Sequence, residues 1–131
     1  MTWTEDRGRA VVYARSGGLD EILGDVRAGE WCHRLARSHG GTWAPTNGLH
    51  LHPAVHAWCH ANPTAAELGG WIVRDGITRP EDVPVWLAHP WPGWWLLTDE
   101  AEDGGPALLI PYSPAEPLAP PETMPPHPER T

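Results

Sequence analysis

The sequence has no lysine and no phenylalanine, only two cysteines, and no long apolar run. Because a helix needs about 18 apolar residues to span a bilayer, no membrane segment is predicted. The first residues also lack the apolar stretch of a secretory signal, so we expect a cytoplasmic protein with no membrane partner. Two cysteines are too few for a zinc ribbon, and in a reducing compartment they favour free thiols or metal ligands over a disulfide.

Acidic residues outnumber basic ones, with 17 Asp and Glu against 9 Arg, and the formal net charge is −8. This charge argues against strong nucleic-acid binding, because phosphate groups are usually bound by a basic surface. The excess is uneven: residues 1–61 hold six acids and six arginines, whereas residues 62–131 hold eleven acids and three arginines. The first half is therefore neutral, and it gains positive charge if its histidines protonate or bind a metal ion.

Turn signals and periodicity divide the first half of the chain into short elements. We predict a strand over residues 30–34, a loop over "SHGGTWAPTNG" and a second strand at "LHLH". Pro53 suits the first turn of a helix, which then continues to a break at Asn62. A second helix follows, with Asn62 as its cap and Pro63 at its first position.

The second half of the chain alternates turns with short apolar segments. We predict strands at "WIVR", "VPVWL", "GWWLLT" and "ALLIPY", the last two forming a hairpin around the acidic turn "DEAEDGG". Residues 113–131 contain too many prolines for a helix interior or a ladder strand, so we expect an extended tail, either disordered or bound to a partner. The predicted fold is α+β, with one domain at residues 1–112.

Histidine and cysteine are concentrated in one stretch, residues 31–60, which holds six of the eight histidines and both cysteines. On the predicted helix, His56 and His60 lie four residues apart and share one face, a spacing that can hold one metal ion. Histidines at this spacing also occur on ordinary solvated faces. Cys32 on the preceding strand could complete a three-ligand site with an open position, as in catalytic zinc sites.

A rival zinc site would be closed and non-catalytic, with four ligands: Cys32, His52, His56 and Cys59. A lone cysteine on a helix, such as Cys59, is more often a small core residue. His50 and His52 alternate with leucines on one strand face, for which we predict surface or packing roles.

The series Cys32-His33, Gly40-Gly41, Asn47, His56 and His60 resembles the motif of HNH nucleases, the ββα-metal or His-Me finger family. The intervals of seven, fourteen, nine and four residues closely match those of nuclease colicins. The stretch "HRLARSHGG" and the segments that follow it are also similar to phage-encoded HNH proteins. The resemblance covers residues 10–100 and implies a finger core at residues 29–61.

The resemblance implies a role for each residue of the motif. His33 would act as general base on a water, held in one tautomer by a hydrogen bond from its other ring nitrogen. Asn47 would brace the loop that positions His33. The implied metal ligands are Cys32, His56 and His60. The implied DNA-contacting residues are Arg34, Arg37, His39, Gly40 and Gly41, although exposed arginines serve solubility equally well.

The sequence departs from the family in two places. Many relatives hold a structural zinc with two Cys-x-x-Cys pairs, but those positions here are Asp20, Leu23, His52 and Val55, so we predict that this zinc is absent. The other departure is Cys32, where the family has His or Asp. A thiolate favours zinc over magnesium, so the predicted cofactor is one divalent ion, either zinc or one of Mg, Mn and Ni.

Three functions are compatible with these features. The resemblance implies a metal-dependent HNH endonuclease that hydrolyses DNA phosphodiester bonds in phage genome processing or packaging, beside a terminase. The acidic second half, the lost zinc knuckle and the proline-rich tail instead favour a catalytically degenerate metal-binding module that binds a protein partner. A zinc protein that binds DNA without catalysis is the third, which the net charge disfavours.

Overall fold

Residues 2–101 and 105–129 are described by a computed structural model, which shows short helices and antiparallel strands in an α+β arrangement, as predicted. The helices are α1 (Glu5–Ser16), α2 (Pro53–Ala61) and α3 (Pro63–Leu68). The strands are β1 (Glu30–His33), β2 (Gly48–Leu51), β3 (Val85–Leu87), β4 (Gly93–Leu97) and β5 (Leu109–Pro111). No helix in this described part of the chain has the length and apolar character needed to cross a membrane.

The predicted order of strand, loop, strand and helix is confirmed over β1, β2 and α2. The two strands pair antiparallel, with Cys32 opposite Leu49. Pro53 occupies the start of α2, and the His52 side chain caps the helix by accepting a hydrogen bond from a backbone N–H at 3.0 Å. His52 therefore does not share a strand face with His50, because the strand ends one residue before it.

The N-terminal residues form a helix, α1, that the sequence pattern did not reveal. Thr4 caps its start by accepting a hydrogen bond from the Arg7 N–H, and Gly17 ends it in the left-handed region at φ 62°. Tertiary contacts hold the helix, including a buried ion pair in which Arg15 Nε lies 2.8 Å from Glu21 Oε2. Apolar periodicity along α1 is weak. The ion pair, together with the hydrogen bonds that Arg15 donates to the distant carbonyls of Pro45 and Gly48, therefore attaches the helix in place of an apolar stripe.

The remaining strands form an antiparallel sheet in the order β3, β4, β5, which confirms the predicted hairpin of the last two. Residues 102–104 of the acidic turn lie outside the described residues. The strand predicted at "WIVR" is wrong: Trp71 and Val73 are buried there, but the Val73 N–H donates to the Arg34 carbonyl and joins no ladder. The apolar residues of this segment alternate because their side chains are buried, although the segment pairs with no other strand among the described residues.

The proline-rich tail packs against its own domain over residues 113–129. It has no helix or strand in that range, which agrees with the predicted extended form. The prediction that it would be disordered or bound to a partner did not include the contacts with its own domain that are present. The Trp94 indole donates to the Ala119 carbonyl at 3.1 Å, and His127 lies 3.0 Å from an oxygen of Asp25. Met124 packs against the hydrophobic core. The tail is therefore attached to the sheet and to the turn after α1.

A buried carboxylate stands where the resembled family would hold its structural zinc. Asp20 is fully buried, and its Oδ1 accepts hydrogen bonds from the backbone N–H groups of Ile22 and Leu23 at 2.9 and 2.8 Å. Its Oδ2 accepts from the His52 N–H at 2.7 Å, and Val55 lies in the core. Asp20 thus joins the turn after α1 to the start of α2, which are the segments that the cysteine pairs would connect.

Candidate metal centre

The three predicted metal ligands come together in the structure. The ligand atoms of Cys32, His56 and His60 all lie within 4.8 Å of one another. The two Nε2 atoms of the histidines are 3.0 Å apart, because the four-residue spacing places both rings on one face of α2. Cys32 is buried on β1 beside them. One sulfur and two imidazoles are a typical donor set for zinc with an open coordination position.

The rival four-ligand site does not form among the described residues. Cys59 is fully buried in the hydrophobic core, and His52 uses its Nδ1 to cap α2. Neither residue belongs to the group of ligand atoms that converges on Cys32. The prediction of a closed zinc site is therefore wrong, because the helix period turns Cys59 toward the core while His56 and His60 face outward.

Protonation of the three candidate ligands would couple metal binding to pH. Burial is the main cause that raises the pKa of the Cys32 thiol, and the neighbouring Cys59 raises it further. Burial, followed by His56, lowers the pKa of His60, so this ring keeps a free lone pair at neutral pH. The thiol must lose its proton when an ion binds, so metal affinity should rise as the pH increases.

Glu30 contacts one of the three candidate ligands. Its Oε1 lies 3.3 Å from His56 Nδ1, on the side of the ring opposite to the atom that faces His60. A carboxylate here accepts the Nδ1–H proton, which leaves the Nε2 lone pair for a metal ion. Glu30 was not predicted as a site residue. It could have been predicted, because it lies two residues before Cys32 and residues two apart in a strand share one face.

We expect Glu30→Ala to weaken metal affinity by about 10- to 100-fold, because His56 loses the acceptor that selects its tautomer. Competition with a chromophoric chelator measures the affinity directly and needs no activity. Glu67→Ala is the matched control, since the side chains of Glu30 and Glu67 are 47% and 48% exposed and Glu67 pairs with Arg74 instead. An equal loss in both variants would indicate only a change of net charge, contrary to the orienting role.

His33 ends β1 beside the ligand group, but its tautomer differs from the predicted one. The Trp31 indole N–H donates to His33 Nδ1 at 3.1 Å, so a neutral His33 carries its proton on Nε2. The resemblance had implied that Nδ1 donates a hydrogen bond, whereas here Nδ1 accepts one. Nε2 is buried without a hydrogen-bond partner in the described part of the chain. Burial, then Arg37 and Arg9, lower the pKa of His33, which favours the neutral ring.

A cavity of about 240 Å³ adjoins the ligand group. His33 and His60 both line it, as do His39 and Arg74 from the neighbouring loops. His39 is exposed, and its Nδ1 donates to the Arg74 carbonyl at 3.1 Å, which connects two walls of the cavity. The cavity therefore brings together His33, which is not a candidate metal ligand, and His60, which is one.

Arg34 cannot contact DNA, which corrects the prediction from the motif. The side chain is 1% exposed, and its guanidinium donates to four backbone carbonyls at 2.8 to 2.9 Å. The acceptors are Thr46, Gly70, Pro80 and Val83. Arg34 therefore joins the end of β1 and the loop that follows it to the segments that precede β3. Burial lowers its pKa from the ordinary arginine value. Arg37, three residues later, is exposed.

Asn47 closes the loop between β1 and β2 through its amide. Its Oδ1 accepts from the Leu35 N–H at 2.7 Å, while Nδ2 donates to the carbonyls of Leu35 and Thr42 at 3.0 Å each. The loop also needs its glycines: Gly40 has φ 93°, and a Cβ at Gly41 would lie 1.7 Å from the Leu35 carbonyl oxygen. The predicted bracing of the loop by Asn47 is present, and the tight backbone path requires both glycines.

No protein-family model, curated protein or solved structure matches this chain. The fold and the site define an α+β domain with a Cys-His-His group beside a histidine-lined cavity.

Proposed function

We propose that this chain is a metal-dependent endonuclease of the HNH type that hydrolyses DNA phosphodiester bonds. The convergence of Cys32, His56 and His60 at the edge of the cavity that His33 lines carries the proposal. A divalent ion, when bound, would supply the Lewis acidity that polarises the phosphodiester and stabilises charge on the leaving oxygen. The thiolate favours zinc over magnesium as that ion.

His33 contributes a hydrogen bond from Nε2 in this proposal. The Trp31 bond engages the Nδ1 lone pair, so the neutral ring has a proton to donate and no lone pair free to accept one. A donor aimed at a phosphate oxygen stabilises the negative charge that develops during hydrolysis. Service as a general base, which the resemblance implies, would require the Trp31 indole to release Nδ1.

Asn47 acts as a positioning residue. Its three hydrogen bonds hold the chain directly after His33, at Leu35, against the loop that carries Thr42. This fixes the end of β1 and hence the approach of His33 to the cavity. From the resemblance alone, we further propose phage DNA processing beside a terminase in the host cytoplasm as the setting.

The proposal is tested with metal-stripped protein, supercoiled plasmid and Zn²⁺, Ni²⁺, Mn²⁺ or Mg²⁺ added separately. We expect relaxed or linear plasmid with Zn²⁺ or Ni²⁺, and a loss of about 100-fold or more in His56→Ala, which removes one of the three ligands. His127→Ala, a histidine of the tail that contacts Asp25 instead, is the control and should retain the rate. Cleavage that persists in His56→Ala at full rate would contradict the proposal.

A second candidate function is a metal-binding module without turnover that binds a protein partner. The hydrogen bond from Trp31 to His33 favours it, because that bond leaves the site without a general base. Stoichiometric Co²⁺ binding with the charge-transfer absorption of a thiolate ligand, but no cleavage with any metal, would support this module. Multiple turnovers by the purified protein would exclude it.

A further inference from the structure

Two arginines from distant parts of the chain meet over one tryptophan beside His33. The guanidinium carbon of Arg9, on α1, lies 5.1 Å from the centroid of the Trp43 ring, and that of Arg37 lies 5.8 Å from it. The ring centroids of Trp43 and His33 are 4.4 Å apart. Both cations therefore lie on the rim of the site, around an indole that contacts His33.

A glycine makes this meeting possible. A Cβ at Gly8 would lie 2.0 Å from the Trp43 carbonyl oxygen, so the backbone of α1 contacts the loop directly. Glycine within a helix costs about 1 kcal/mol relative to alanine. The close approach that it permits places the next residue, Arg9, over the indole. The contact is thus specific to α1 and its register on the loop.

The two guanidinium groups remain available to an anionic ligand. Arg37 is exposed, and no carboxylate in residues 2–101 or 105–129 lies within 4.0 Å of it. The side chain of Arg9 is 36% exposed; it forms an ion pair with Glu5 at 2.9 Å and donates a hydrogen bond to the Tyr13 hydroxyl. Stacking on an indole restrains a guanidinium without neutralising it. The charge of the pair is therefore only partly compensated.

We propose that Arg9, Arg37 and Trp43 form a surface that binds the phosphate backbone of DNA next to His33, an inference that rests on the proposed endonuclease function. Guanidinium groups bind phosphate oxygens through paired, charge-assisted N–H donors. The surface lies on residues 1–61, where acids and arginines balance, while the acidic excess belongs to the remainder of the chain. A local positive surface can thus attract DNA despite the net charge of −8.

The experiment measures binding of a fluorescent DNA duplex to the full-length, metal-free protein by anisotropy over a series of salt concentrations. Arg9→Ala and Arg37→Ala should each weaken binding roughly tenfold at 0.1 M salt and reduce the slope of log K against log salt by about one. The double variant should show both losses. Lysine at either position should restore the salt slope, because the charge is kept.

Arg79→Ala is the control, an exposed arginine outside residues 29–61 whose guanidinium pairs with Glu81. It should bind DNA like the wild type. If the double variant binds DNA as tightly as the wild type, or if Arg79→Ala loses as much affinity as the other single variants, the proposed DNA-binding surface is contradicted.

Cleavage is scored separately after metal addition. If DNA binding depends on the two arginines but no cleavage occurs, the DNA-binding surface is supported and the endonuclease function is contradicted. If cleavage occurs but binding does not depend on the arginines, only the DNA-binding surface is contradicted.

Discussion

Replacement of His33 by alanine should lower the rate of plasmid cleavage by about 100- to 1,000-fold, the usual cost of losing one transition-state hydrogen-bond donor. His33→Gln should retain most of the rate, because its amide N–H can donate from near the position of Nε2 but cannot act as a base. Initial rates at a fixed metal concentration measure both effects. Metal affinity should be the same in both variants, since His33 is outside the ligand group.

The glutamine variant separates the two roles considered for His33. Equal losses in His33→Ala and His33→Gln would show that the residue accepts a proton and that Trp31 must release Nδ1 during the reaction. His127→Ala is the control, since this histidine of the tail contacts Asp25 and should change the rate little. A full rate in His33→Ala would remove His33 from the catalytic machinery.

Arg34→Ala should lower the free energy of unfolding by about 4 kcal/mol, because four backbone carbonyls lose a charged donor in the protein interior. Urea unfolding of the metal-free protein measures this change. Arg37→Ala, which alters an exposed arginine three residues away, should stay within about 0.5 kcal/mol of the wild type. Similar effects of the two substitutions would contradict the structural role of Arg34.

The sequence predicted the site well where local periodicity controls it. A four-residue interval on a helix puts His56 and His60 on one face in any context, and Pro53 with Asn62 bounded that helix. Glu30 was accessible by the same reasoning, because it lies two residues before Cys32 on a strand. Trp31 also lies two residues before His33 on that strand. Because residues two apart in a strand share one face, the contact between these two side chains could have been predicted.

The predictions were wrong where the burial of a side chain or contacts between distant residues determine the structure. Arg34 and Arg37 look alike in the sequence, and only the packing of the segments around residues 70–83 buries the first. The strand predicted at "WIVR" has the right apolar alternation but finds no partner strand. Helix α1 was missed because hydrogen bonds from Arg15 to the distant carbonyls of Pro45 and Gly48, together with its ion pair to Glu21, attach it in place of an apolar stripe.

By itself, the sequence determined the α+β class, the strand, loop, strand and helix order, and the pair of histidines on α2, because backbone periodicity and turn chemistry act over a few residues. Only the tertiary structure decided that Cys32 joins those histidines while Cys59 enters the core. It likewise decided that α1 carries Arg9 to Trp43. These outcomes depend on contacts between residues far apart in the chain, and such contacts form only when the whole domain packs.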